Sequence, residues 1–308
     1  MVDLTSPMEP PSRLAHTLSS HIGSVNIVRY NAGAKYCLSG GTDRTIRLWN
    51  PTSGKEIKCY KEHAYEVLGI CVTPDNSKFA SCGGDKSVLF WDVTTGSVIR
   101  KFQRHTSKVN AVDFNADASV LASGSYDSTL SLWDLKSQSR APLQTLTEAK
   151  DSITSVTISG TVLMTGSVDG YVREYDLRMG ELRSDYIGHP ITSLTVSPTS
   201  NTTVLVTTLD STIRLLDRTN GKVLASFQGH KNESYRSKAA FLLGESGVVC
   251  GDEDGKLWGW GVLDSKPLSK AAPRQIHSKA VLWVETNPID KDEMLTAGAD
   301  GSIKVWRR

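Results

Sequence analysis

Residues 63–102 read HAYEVLGICVTPDNSKFASCGGDKSVLFWDVTTGSVIRKF. Four short apolar runs, 67–72, 79–82, 88–92 and 98–102, are separated by the turn formers Pro74-Asp75-Asn76-Ser77, Gly83-Gly84-Asp85-Lys86 and Thr95-Gly96. Runs this short, rich in β-branched and aromatic residues and bounded by Gly, Pro, Asn and Asp, read as strands. Four in succession predict one antiparallel meander, with strands a to d.

The unit recurs along nearly the whole chain. Seven times an aspartate stands six residues before a bulky strand-ending residue: Asp43 with Trp49, Asp85 with Trp91, Asp127 with Trp133, Asp169 with Tyr175, Asp210 with Leu216, Asp254 with Trp260 and Asp300 with Trp306. The end residues lie 42, 42, 42, 41, 44 and 46 apart, a period that fits four-stranded propeller blades and no helical solenoid of comparable length. The expected fold class is all-β, a single seven-bladed β-propeller over residues 13–308 after a flexible N-terminal tail, residues 1–12. Such an array is one cooperative stack, so length alone does not imply two domains. Only Arg307 and Arg308 follow Trp306, which leaves the seventh blade without a strand d. Residues 13–18 precede His21 as 98–102 precede His105, and are expected to fill that place and clasp the ring.

Four residue types recur where they could meet: His21, Ser39, Asp43 and Trp49; His63, Ser81, Asp85 and Trp91; His105, Ser123, Asp127 and Trp133. The aspartate belongs in the turn between strands b and c, where it can accept turn N–H groups and the histidine, which passes the bond through serine to the indole. A nucleophilic serine needs an exposed, activated hydroxyl beside an oxyanion hole, whereas this set repeats blade after blade and ends on tryptophan. It is read as structural, and so are Asp169, Asp210, Asp254 and Asp300. The set decays along the chain: blade four has Glu148-Ala149-Lys150 in place of histidine, blade five has Val206 and Leu216, and blade six has Cys250. Blades one to three are therefore expected to be the most rigid.

Net charge is +2, with 35 basic against 33 acidic residues, so no general pull toward nucleic acid or anionic membrane is implied. The five cysteines are odd in number and lack a Cys-x-x-Cys pair, and read as small core residues in a reducing compartment. The proline-bearing start carries no apolar stretch and no other segment could span a bilayer, so a soluble, intracellular, monomeric protein is expected. No metal-spaced Cys/His cluster, phosphate loop or nucleophile elbow is present. No catalytic, cofactor-binding or metal site is expected, and the protein is read as not an enzyme.

Propellers meet partners through loops at the channel rims, because the blades are packed core. Candidate partner-binding residues on the rim that carries the histidines are Tyr65, Glu66, Lys108, Tyr126, Asp151, Tyr235, Arg236, Glu253 and Lys279. The stretch 230–238, HKNESYRSK, is longer and more polar than its equivalents and is the candidate recognition loop. Arg47, Arg173, Arg214 and Lys304, each four places after a turn aspartate, could suggest a phosphate-reading ring, but fit the polar alternation of strand c.

With His63, Asp85 and Trp91 at these spacings, the chain resembles the WD-repeat family over residues 13–308. Within it, the mitogen-activated protein kinase organizer is the closer likeness, on 36–51 (YCLSGGTDRTIRLWNP), 63–68 (HAYEVL), 108–110 with 114–115, 166–180 (GSVDGYVREYDLRMG), 209–217 (LDSTIRLLD) and 229–235 (GHKNESY). That resemblance implies a non-enzymatic scaffold for a mitogen-activated kinase cascade in cytoplasm and nucleus. It also implies an alternative place among spliceosome proteins in pre-mRNA splicing. Partners would be kinase-cascade components or splicing proteins, with no direct nucleic acid and no cofactor. Trp133-Asp134-Leu135-Lys136 and Tyr175-Asp176-Leu177-Arg178 resemble the box of cullin-type ubiquitin ligase substrate receptors, but that box overlaps the repeat itself. The N-terminal tail and Gly259-Trp260-Gly261 depart from the family pattern.

Overall fold

A computed structural model describes residues 9–242, 244–268 and 273–308. Seven four-stranded antiparallel sheets are arranged as the blades of a propeller, and no helix occurs among the described residues. Blade one is typical, with strands a to d at Val25–Tyr30, Cys37–Gly41, Ile46–Asn50 and Lys55–Tyr60.

Closure follows from chain order. The seventh sheet takes Val281–Thr286, Glu293–Gly298 and Ile303–Arg307 from the C-terminal end and Arg13–Leu18 from the N-terminal end. Leu14 pairs with Trp306 and Leu18 with Ile303, so both chain ends hold one blade and no radial sheet edge is left open there. Of the expected tail, residues 1–8 lie outside the described residues. In its described part, residues 9–12, Pro11 is buried and the Glu9 carbonyl accepts a bond from Arg308 Nη2 at 2.6 Å.

The b–c turns are alike in all seven blades. The residue after the turn aspartate is left-handed each time: Arg44, Lys86, Ser128, Gly170, Ser211, Gly255 and Gly301, with φ between 57° and 85°. In blades one to four and seven that conformation brings the N–H two residues past the aspartate onto its carboxylate, as for Ser87 on Asp85 Oδ1 at 3.1 Å. Gly83 is required for a different reason, since a Cβ there would lie 2.1 Å from the Glu66 carbonyl oxygen.

Six of the seven inner strands carry a one-residue bulge at the same height, as between Val25 and Ile27. The bulged residue often reaches the next blade. Asn26 donates to Val67 O at 2.9 Å, Asn110 to Ile153 O at 2.8 Å, Thr154 to Ile191 O at 2.6 Å and Thr192 to Ser237 O at 3.0 Å. Outside this polar seam the blades meet through apolar faces: Trp91 stacks on Phe79 at 5.4 Å, and Tyr60 of blade one meets both rings edge-on. Cys37, Cys71, Cys82 and Cys250 are buried in these layers as free thiols.

Candidate functional site

The repeated polar set closes in four blades. In blade two His63 Nδ1 lies 2.8 Å from Asp85 Oδ2 and Nε2 lies 2.7 Å from Ser81 Oγ, which also accepts the Trp91 indole N–H at 2.8 Å. Blades one and three repeat this with His21, Asp43, Ser39 and Trp49, and with His105, Asp127, Ser123 and Trp133. Blade seven repeats it with His277, Asp300, Thr296 and Trp306. The hydroxyls of Ser39, Ser81, Ser123 and Thr296 belong to residues with 0% exposure, so no substrate carbonyl can reach them. Burial works to raise the Asp85 carboxyl, but hydrogen bonds from His63, Ser87 and Ala64 and the charge of His63 outweigh it and hold it well below the ordinary range.

Blades four and five solve the same turn with arginine. Arg173 Nη2 binds Asp169 Oδ2 at 2.8 Å while Nη1 donates to Ser167 Oγ at 2.8 Å. Arg214 repeats the fork on Asp210, at 2.5 Å, and on Thr208 Oγ1, at 2.7 Å. His189 is half exposed and only 3.5 Å from Asp210. Arg173 is itself buried, so two of the basic residues read as strand-c alternation are turn clamps instead. Arg47 sits between Glu56 at 2.8 Å and Asp43 at 3.8 Å, and Lys304 donates to the Ile276 carbonyl. All four are engaged within the protein rather than lined up for phosphate.

Blade six corrects the sequence reading. Asp254, placed by its spacing among the turn carboxylates, is exposed. Asp252 takes the work two residues earlier, accepting Asp254 N at 3.0 Å, Lys256 N at 2.7 Å and the Trp258 indole N–H at 2.7 Å. The carboxylate moved because Asp252-Glu253-Asp254 offers two candidates and Trp258 supplies an extra donor on the same strand face. His230 consequently has no partner at either ring nitrogen although it is 2% exposed, and burial lowers it to about 4. Trp260 turns its N–H to the Gln228 carbonyl at 3.1 Å.

On the rim, Tyr65, Lys108, Tyr126, Asp151, Tyr235 and Lys279 are exposed and Glu66 is half-buried. The Tyr65 and Tyr126 rings each lie under a cation, with Arg44 Cζ 6.0 Å and Lys108 Nζ 5.1 Å from the respective centroids. Two candidates are not free rim groups. One Glu253 oxygen gathers three consecutive backbone N–H groups, those of Glu233 at 2.7 Å, Ser234 at 2.5 Å and Tyr235 at 3.2 Å, and so shapes the loop 230–238. Arg236 turns inward and crosses the channel to the carbonyls of Asn110, at 2.7 Å, and Leu68, at 3.4 Å. It is a strut between blade six and blades two and three, held on the carbonyls of two bulged residues. Burial lowers its guanidinium to about 10, which leaves it charged at neutral pH.

Beneath the strut the channel holds a cavity of about 320 Å³ whose wall includes Arg29, Asp113, Lys238, Trp283 and Glu285. Glu285 accepts Lys238 Nζ at 2.6 Å and the Trp283 indole N–H at 3.1 Å, and faces Arg29 at 3.5 Å. Burial opposes its ionisation, but Arg29 and Lys238 outweigh this and keep it a carboxylate. Lys238, the last residue of the expected recognition loop, is therefore buried on Glu285 rather than on the rim, and the other three charges were not singled out from the sequence. The signal was a charged residue at the fifth position of an apolar strand a, in VNIVRY, VNAVDF and VLWVET. Among the described residues no group of three or more His, Cys, Asp or Glu is placed to hold a metal.

Comparison with known proteins agrees with this architecture. The WD domain, G-beta repeat family matches residues 12–50, and the Nucleolar protein 10-like N-terminal domain family matches residues 69–258. The human WD repeat domain-containing protein 83 is 48% identical over 301 residues, covering 98% of this chain and 94% of the relative. A WD repeat-containing protein of Schizosaccharomyces pombe is 44% identical over 283 residues, covering 92% and 94%. The WD repeat domain-containing protein 83 homolog of Dictyostelium discoideum is 32% identical over 317 residues, covering 94% and 96%. With seven blades, repeated His–Asp turns and relatives matched from end to end, the chain belongs to the WD-repeat family.

Proposed function

We propose that this protein is a non-enzymatic interaction scaffold that gathers components of a mitogen-activated protein kinase cascade on one disc, as a monomer, in cytoplasm and nucleus. The observation that carries the scaffold reading is the rim: Tyr65, Tyr126 and Tyr235 stand exposed on loops whose backbone is fixed by side chains of the b–c turns, with Ala64 N on Asp85, Asp127 N on Ser125 Oγ and Tyr235 N on Glu253. Exposed aromatic residues on rigid supports are what interface hot spots use. The kinase assignment rests on the resemblance of the irregular blades four to six to the organizer group. The mechanism is effective concentration, since two components held on one disc meet intramolecularly, worth about a hundredfold or more without new chemistry.

The test is quantitative affinity purification with mass spectrometry, comparing the intact protein with a folded Tyr65→Ala/Lys108→Glu variant. Co-recovery of cascade kinases that falls in the variant is expected. Recovery of splicing proteins in their place would replace the kinase reading with the spliceosomal one, and recovery of a cullin-ligase adaptor with the receptor reading. For the receptor reading, Asp134 and Asp176 of the box-like segments already serve as acceptors for their own turns, from Lys136 N and Arg178 N, both at 2.8 Å.

A further inference from the structure

The histidine-bearing face is electrically two-sided. Over blades one to three its loops expose Arg44, Lys61, Lys86, Arg104 and Lys108 against the single exposed acid Glu62. Over blades four to seven they expose Lys150, Lys231 and Lys279 against Glu148, Asp151, Glu233 and Asp254. The overall charge of +2 conceals this division.

Backbone conformation supplies an independent observation. Arg44 and Lys86 occupy the left-handed turn position, at φ 67° and 64°, that blades four, six and seven give to Gly170, Gly255 and Gly301. A side chain is disfavoured in that region and glycine is not, so the fold of the turn alone gives no reason to keep a long cation there. Both cations project from the face, and Arg44 stands over Tyr65 as Lys108 stands over Tyr126.

We propose that Arg44, Lys86 and Lys108, with Tyr65 and Tyr126, form a binding arc across blades one to three for an acidic, extended protein segment. The inference rests on the scaffold reading and names the sector and the partner chemistry. Asp and Glu side chains of such a segment meet the cations, while the tyrosines supply apolar contact and hydroxyl groups. A single-stranded nucleic acid is disfavoured because a cation already covers a face of each ring that a base would stack on. It is further disfavoured because the rest of the face carries net negative charge.

Fluorescence anisotropy with the full-length protein tests this, using a labelled peptide of Asp, Glu and Ser, its Asn/Gln counterpart and a labelled oligouridylate. The acidic peptide should bind in preference to both, and more weakly as salt rises. Arg44→Gly/Lys86→Gly/Lys108→Ala should weaken it about tenfold or more, while Lys150→Ala/Lys222→Ala/Lys291→Ala, at exposed lysines outside the arc, changes it less than about twofold. Because glycine relieves the two left-handed positions, the arc variant should melt no lower than the parent. Equal binding of the amide peptide, or an arc variant within about twofold of the parent, would overturn the arc. Tighter binding of oligouridylate would assign the arc to nucleic acid instead, and a lowered melting temperature would show Arg44 and Lys86 to be kept for the fold. Failure here leaves the scaffold reading standing as long as the intact protein co-recovers its partners, since that recovery, unlike its fall in Tyr65→Ala/Lys108→Glu, does not depend on which sector binds them.

Discussion

In blade two Asp85 faces a histidine delivered by the loop before strand a, whereas in blade four Asp169 faces an arginine four residues on in its own strand c. The carboxylate and the left-handed residue after it are common to both, so the turn itself is the constant. What differs is reach. His63 is 22 residues from Asp85 and 18 from Ser81, and ties the loop to strand b and, through Trp91, to strand c. Arg173 clamps only the turn and leaves its loop attached mainly by Lys150 N on Asp169 at 2.9 Å. Closing a long loop removes more disorder than closing a short one, so blades built on histidine should open as larger units.

The largest effect should come from the clasp, which stands outside both schemes. Deleting residues 13–20 removes the whole strand d of blade seven and exposes the length of strand c, so soluble, cooperative folding should be lost, as judged by size exclusion and calorimetry. Within the comparison, Arg173→Met should be the harsher change. It removes the only charge partner, among the described residues, of a half-buried Asp169 and leaves the carboxylate to Ser167 Oγ and the N–H groups of Lys150 and Tyr171, so about 2–3 kcal/mol of stability should go by denaturant titration.

Acid should separate the blades next. His230 has its folded-state pKa lowered to about 4, so the unfolded chain binds the extra proton between about pH 4 and 6.5. Its contribution is intact above about pH 6.5 and is lost as pH falls toward 4, on the order of 3 kcal/mol in all. His21 and His277 are lowered in the same direction by burial, but each has an aspartate opposing the shift. Asp85, held below its ordinary range, contributes stability above about pH 4 and loses it only at lower pH. Hydrogen exchange at pH 5 against pH 7 should therefore show blade six opening before blade two, and His230→Phe should shrink that difference. The smallest of these effects is Asp85→Ala, at about 1–3 kcal/mol, because it leaves the hydrogen-bond donors of His63, Ser87 and Ala64 without their acceptor. A drop in melting temperature confined by hydrogen exchange to blade two and the loop at His63 would sharpen the contrast with blade four, and an unchanged melting temperature would break it.

Much of this architecture was legible in the chain because a propeller is written in local code. Strand length, turn residues and a repeat of about 42 residues are short-range properties, and they led to seven blades, the shared terminal blade and the His–Asp–Ser–Trp sets. Spacing alone could not choose between Asp252 and Asp254, because both lie in one turn and the choice depends on which donors converge there in space. Nor could it show that Arg173 and Arg214 stand in for histidine, since strict alternation and a buried clamp look the same along a strand. Arg236 is the plainest case: its polar loop suggested an exposed rim residue, yet its partners lie 126 and 168 residues away on the far wall of the channel. The linear pattern determined which elements form and how many. Where a side chain goes at the ring's centre was decided by closure of the ring, because only then do seven inner strands bring their carbonyls and charges within hydrogen-bonding distance of one another.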